Sequence, residues 1–213
     1  MAAIAFDAVA SGEAGSAISL TYAHTCTGSN RILFVGVMTF DPADLVSGVT
    51  YAGVSMTRIA TVQEPATTFR IYLYYLINPA SGANNVVVSS SSSTTIRSSS
   101  TSYTGARQNS QPDASGTKQN TTTGTHTLAI VTVANNCWMV SWIQSAGSNP
   151  AASTGTTLRQ GATARAIGDS NSAITPPGSY SMSWTTGTND NSAVIQASFA
   201  PANDAAAMFF ELI

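Results

Sequence analysis

Apolar side chains in this chain recur at every second position, in short runs that clusters of Gly, Pro, Asn and Ser interrupt at intervals of roughly ten residues. That period places alternate side chains on opposite faces of an extended backbone, whereas a helix needs an apolar stripe recurring every three to four residues, and almost no such stripe is present. The chain is therefore expected to be all-β. In "RILFVGVMTF" (31–40), Ile32, Phe34, Gly36 and Met38 fall on one face and Leu33, Val35 and Val37 on the other, so this strand is apolar on both sides and belongs in the middle of a sheet. "SAISLTYAHT" (16–25) alternates Ile18, Leu20 and Tyr22.

Further along, Ala52-Gly53 reads as the tight turn of a hairpin between Val49–Tyr51 and a strand carrying Val54, Met56 and Arg58. "FRIYLYYLI" (69–77) leads into "NPASG", where Pro79 and Gly82 favour a reversal of direction and Asn78 is suited to bonding nearby backbone, so this stretch is expected to be a corner and not a site of chemistry. The run "SSSSSTT" (89–95) is expected to be an exposed bend or edge, because Val86, Val88 and Ile96 keep the alternation going on either side of it. After residue 125 come five more strand-length segments, with "ANN" (134–136) read as a hairpin turn between 126–135 and 137–147, and "TPPG" (175–178) as a stiff corner. Between them, about 106–125 holds almost no large apolar side chain and is expected to be a long polar loop. Ten to thirteen strands with no composition break fit a single domain over 1–213, an antiparallel β-sandwich with jelly-roll or Greek-key-like connections, carrying an extended C-terminal segment at 201–213.

Composition limits what such a sandwich does. Charged residues are 8 % of the chain, against roughly 25 % in an ordinary soluble domain, while Ser and Thr fill 57 of 213 positions. A hydroxyl-rich surface with little charge repels its own copies weakly, which suits a subunit of a dense assembly better than a free monomer. The net charge is −2 with one lysine, Lys118, so there is no basic stripe for nucleic acid and no polybasic contact for a membrane. No apolar run reaches the ~20 residues of a membrane-spanning helix, and the N-terminal stretch lacks the basic and apolar regions of a signal peptide, so synthesis in the cytoplasm is expected. Cys26 and Cys137 have no partner at ligand spacing and are expected to be free, buried thiols.

Candidate chemistry is thin. His24 and His126 are the only histidines, too few for a three-histidine metal site, and both are expected in structural or solvent-facing roles near sheet ends. A Ser-His-Asp triad is available in name only, since no G-x-S-x-G elbow occurs. The acids lie mostly in turns or at ends, without the strand-borne pair that a glycosidase requires. Asp41 and Asp44 in "FDPADL" read as an Asp-Pro turn ahead of a calcium loop. The chain is thus expected not to be an enzyme and to carry no cofactor. Trp138 and Trp142 share one strand face, with Met139 and Ile143 on the other; Tyr180 and Trp184 likewise share a face, as core or as a platform for a sugar.

The order of four motifs is a further signal: "HTCTGSNRILFVGVMTF", "VSGVTYAGVSMTRIATV", "IYLYYLINPASGANNVVVS" and "SSTSYTGARQNSQPD". Together they resemble a β-sandwich domain that recurs in phage structural proteins and in phage-derived bacterial surface proteins. The resemblance implies a virion component, and the length suits a capsid decoration or cement subunit contacting the major capsid protein or other virion proteins, with a homotrimer expected. The apolar end "AAAMFFELI" offers Met208, Phe209 and Phe210 as partner contacts. The alternative is a tail-associated receptor-binding or carbohydrate-binding module using Tyr180, Trp184 and the loop at 107–124.

Overall fold

A computed structural model of the chain describes residues 3–66, 68–121, 124–187 and 191–202. Its first half is built on one very long antiparallel pair, β1 (Ala5–Cys26) and β7 (Gly82–Thr104), with Ala5 opposite Thr104 and Cys26 opposite Gly82. The register breaks between Ala14 and Ser19, where Ala14 faces Ile96 but Ser19 faces Ser89. There the ribbon bends and folds back on itself. Tyr22, whose ladder partner is Val86, reaches Ser98, whose ladder partner is Gly12, through a hydroxyl–hydroxyl bond of 2.8 Å. A Cβ at Gly12 would stand 2.8 Å from the Tyr22 ring, so only glycine lets the two layers meet at this point. Ser91, Ser92 and Ser93 are exposed at the bend, as their polar run leads one to expect.

Strands β2 (Ile32–Thr39), β6 (Arg70–Ile77) and β5 (Thr57–Gln63) extend the sheet from the late half of β7, and β3 (Val46–Tyr51) and β4 (Val54–Ser55) extend it from the early half. The order β4-β3-β7-β2-β6-β5 puts β4 and β5 at opposite ends of the sheet, yet Met56 alone joins them in the chain, so the sheet curls until it is nearly closed. Ala52 and Gly53 both take positive φ (51° and 78°) and form the expected turn, but the second arm of that hairpin lasts only two residues before the chain crosses to β6. At the "NPASG" corner Asn78 supplies a positive φ (48°), and its side-chain oxygen accepts from the Arg31 guanidinium and not from nearby backbone. Inside the curl, Leu33, Val35 and Val37 of β2 pack with Leu20, Val49, Tyr51, Tyr72, Val86 and Val88.

The second half contains β8 (Ala114–Asn120), β9 (Gly124–Val131), β10 (Trp138–Ser145), β11 (Ala151–Ala152), β12 (Thr157–Ala162), β13 (Arg165–Asp169), β14 (Ser179–Thr186) and β15 (Ser192–Phe199). They form a five-stranded sheet, β12-β13-β10-β15-β8, and a three-stranded sheet, β11-β14-β9. Two expectations are corrected here. The "ANN" turn does not close a hairpin: β9 pairs with β14 and β10 with β13 and β15, so the turn carries the chain from one sheet to the other. The segment about 106–125 is not all loop, because Ala114–Asn120 forms the edge strand β8 against β15. A polar sequence suffices at an edge, where the ladder uses backbone groups and half the side chains meet solvent.

The halves meet through the even face of β2 and the even face of β10. Ile32, Phe34 and Met38 pack against Trp138, Val140, Trp142, Ile167, Ile195 and Phe199 in the largest apolar cluster. Trp142 lies flat on Gly36, where a Cβ would come within 2.3 Å of the indole, and its Nε1 donates to Val37 O at 3.2 Å. Met139 and Ile143, on the other face of β10, pack toward Met182 and Trp184 of the small sheet. The result is a stack of antiparallel β-layers in which β2, β10 and β15 are buried along their whole lengths, so the central-strand reading of 31–40 is borne out and the β-sandwich class with it.

Candidate functional site

Among the described residues, a constellation with the residue types of a nucleophilic centre lies inside the folded ribbon. Positions 98, 100 and 102 of β7 are inward-facing serines, opposite the small residues Gly12, Ala10 and Ala8 of β1. The space this leaves is filled by Tyr22 and His24 from the other limb of the ribbon. Ser102 Oγ donates to Asp7 Oδ2 at 2.7 Å, so it accepts from His24 Nε2 at 2.9 Å. His24 Nδ1 then accepts from Ser100 Oγ at 2.8 Å. Asp7 is further held by the Thr27 backbone N–H at 2.9 Å and by the Thr27 hydroxyl.

This string differs from a triad in order and in access. A serine stands between the histidine and the aspartate, so the carboxylate does not orient the imidazole directly. Ser100 and His24 are buried, and neither surface cleft described below reaches them. Burial pushes the His24 pKa down to about 4, against a smaller upward pull from Asp7, so the ring is neutral at pH 7. A neutral histidine with both nitrogens engaged by hydroxyls is a tie across two layers. Tyr51 adds to it by donating to the carbonyls of His24 and Gly82, at 3.2 and 3.1 Å.

Two ionic clusters hold one flank of the joint between the halves. Arg159 forks onto the fully buried Asp169 (2.6 and 3.0 Å), stacks 4.1 Å over the Phe6 ring, and shares Asp169 with the Tyr103 hydroxyl at 2.9 Å. Glu13 lies 2.9 Å from Arg97 and 3.5 Å from Arg165, so β1 and β7 are tied to β13 by charge as well as by packing. Of these five charged residues, Arg159, Arg165 and Asp169 lie near one another in sequence, but Glu13 and Arg97 come from far along the chain, and no local pattern marks the clusters.

Among the described residues, two surface clefts stand out. The larger, about 520 Å³, occupies the seam of the nearly closed sheet, between β3 and the chain running from Ser55 to Arg58. The smaller, about 250 Å³, has Met139 and Ile174 in its lining with Ser170, Ser172 and Tyr180. Among the described residues no three His, Cys, Asp or Glu side chains come together as a metal site would need. Asp41 Oδ1 accepts from Ala43 N at 2.8 Å, the geometry of the expected Asp-Pro turn.

The residues singled out from sequence separate clearly in space. Cys26 and Cys137 are free and buried. His126 is buried and bonds Thr186 at 2.6 Å, so both histidines have structural surroundings and neither faces solvent. Trp184 is fully buried, and its Nε1 donates to Ser141 Oγ at 2.9 Å. This corrects its reading as a sugar platform, because a buried indole offers no face to a ligand. Tyr180 remains half-buried at the smaller cleft, its hydroxyl donating to Pro176 O at 2.9 Å. Met208, Phe209 and Phe210 lie outside the described residues. The seam cleft was missed, since its walls come from the ends of a sheet whose closure no local motif announces.

A scan of protein-family models found no match to this chain, and searches of curated proteins and of solved structures found none either. The antiparallel, sandwich-like all-β architecture therefore rests on the geometry above.

Proposed function

We propose that this chain is a non-enzymatic structural subunit of a bacteriophage virion, a decoration or cement protein that stabilises the head through contacts with the major capsid protein and with its own copies as a homotrimer. The observation that carries the reading is the use of its reactive side chains: His24, Asp7, Ser100 and Ser102 are consumed in holding layers together, which leaves a surface of neutral hydroxyls and few charges. The resemblance read from the order of its turn motifs supports the same reading. So do the apolar side chains left on the surface, Val131 and Val133 at the end of β9 foremost, which are 65 % and 68 % exposed. Virion localisation follows from the proposal. Cryo-electron microscopy of the parent particle tests it: density for this fold at the symmetry axes of the head is expected, and density only at the tail tip overturns the cement role. Tyr180 at the rim of the smaller cleft keeps a tail-associated, glycan-binding reading as the second choice, and a glycan array that lights up for the wild type but not for Tyr180→Ala favours it.

A further inference from the structure

The seam cleft has a shape that selects among ligands. The backbone bond from Met56 N to Val49 O, 2.9 Å long, closes one end of it. Beyond that bond the two chains part, since β3 stays with β7 while the residues after Met56 leave to pair with β6. At the far end they are clamped together again, because Arg58 Nη1 donates to both carboxylate oxygens of Asp44 at 3.0 Å. The opening is thus a bowl closed at both ends and not a through-running groove. A peptide strand adding to the free edge of β3 would have to break the Asp44–Arg58 pair, which disfavours an extended occupant. The bowl's volume, about 520 Å³, lies within the range of small-molecule sites.

Its chemistry is mixed in a particular way. Thr50, Ser55 and Ser89 supply hydroxyls that both donate and accept, Ser47 supplies an acceptor whose proton is given to Ser89 O at 3.2 Å, Val46 and Met56 supply apolar surface, and the charges of Arg58 and Asp44 cancel. We infer that the seam cleft binds a neutral saccharide of one or two units, with hydroxyls met by the serine and threonine side chains and the C–H face resting on the apolar ones. This inference stands apart from the virion proposal and survives its failure. Gly48 allows a clean test, since a Cβ there meets nothing within 4 Å and the residue needs no positive φ, so Gly48→Leu fills the bowl without disturbing the strand. Saturation-transfer NMR is run on the intact chain with glucose, galactose, N-acetylglucosamine and maltose as probes, and with glucose 6-phosphate and an extended tetrapeptide for comparison. Transfer is expected to at least one neutral sugar, with affinity reduced by about tenfold or more in Gly48→Leu while its melting temperature stays at the wild-type value. No transfer to any neutral sugar, transfer undiminished in Gly48→Leu, or stronger binding of the phosphate or the peptide each overturns the assignment.

Discussion

The two halves of this molecule solve the same problem with different materials. The first, 5–104, folds one ribbon back on itself and fills part of the gap with serine hydroxyls, a tyrosine and a histidine bonded across the layers. The second, 114–199, faces two separate sheets with Met139, Ile143, Met182 and Trp184 and needs few polar ties between them. In "SSSTS" the inward hydroxyls of Ser98, Ser100 and Ser102 are buried with partners, whereas those of Ser99 and Thr101 on the other face are buried without one, and an unpaired buried hydroxyl costs about 1–3 kcal/mol. The difference teaches that a polar run can lie as deep as an apolar one when the opposite layer brings matching partners, and that the pairing demands a more exact register than apolar contact does.

The largest expected effect comes from the joint between the halves. Trp142→Ala removes the indole that lies on Gly36 and its bond to Val37 O, and should cost about 3–5 kcal/mol, measured by denaturant unfolding. A parallel Trp184→Ala variant sharpens the contrast, for it strikes the second half alone: loss of cooperativity into two transitions is expected for Trp142→Ala only, and a split in both variants would break the division into halves. Next comes the polar tie of the first half. His24 is neutral when folded, with its pKa pushed down to about 4, whereas the unfolded chain takes up that proton near 6.5. Between these values the unfolded state binds more protons, so stability falls as pH drops from about 6.5 to about 4 and this contribution is flat below, a total of about 3 kcal/mol. Subtracting the pH profile of His24→Gln from that of the wild type isolates the slope; identical profiles would refute the tie. The smallest effect belongs to the second half, where Thr186→Val removes a hydroxyl from His126 and should cost about 1 kcal/mol by the same measurement. Ser100→Ala, which leaves His24 Nδ1 buried without its donor, should cost about twice that, and a reversed ranking would show that the first half does not depend on its polar ties.

Much of this was legible in the alternation. Both faces of 31–40, the Ala52-Gly53 turn, the opposed faces of 137–147 and the exposed serine bend all follow from side-chain order and turn chemistry. The misreadings share one cause. "ANN" has the residues of a hairpin turn, and 114–120 lacks the residues of a buried strand, yet the first joins two sheets and the second pairs as an edge. Trp184 offered the same ambiguity, an aromatic alternating with Met182 that suits a core and a platform equally until its opposite layer is known. As for the candidate site, Asp7, His24 and Ser102 are separated by long stretches of chain, and Arg58 and Asp44 gain meaning only once the sheet has curled.

The order of side chains by itself determined that this chain forms strands, which side of each is apolar, and where most of them turn, because those properties depend on neighbours one to three residues away. Which strand lies beside which, how far the long ribbon folds back, and where the sheet fails to close were decided only in three dimensions. The ladder that joins strands is made of backbone groups identical at nearly every residue, so partner choice is settled by how whole faces pack and not by any local run of letters.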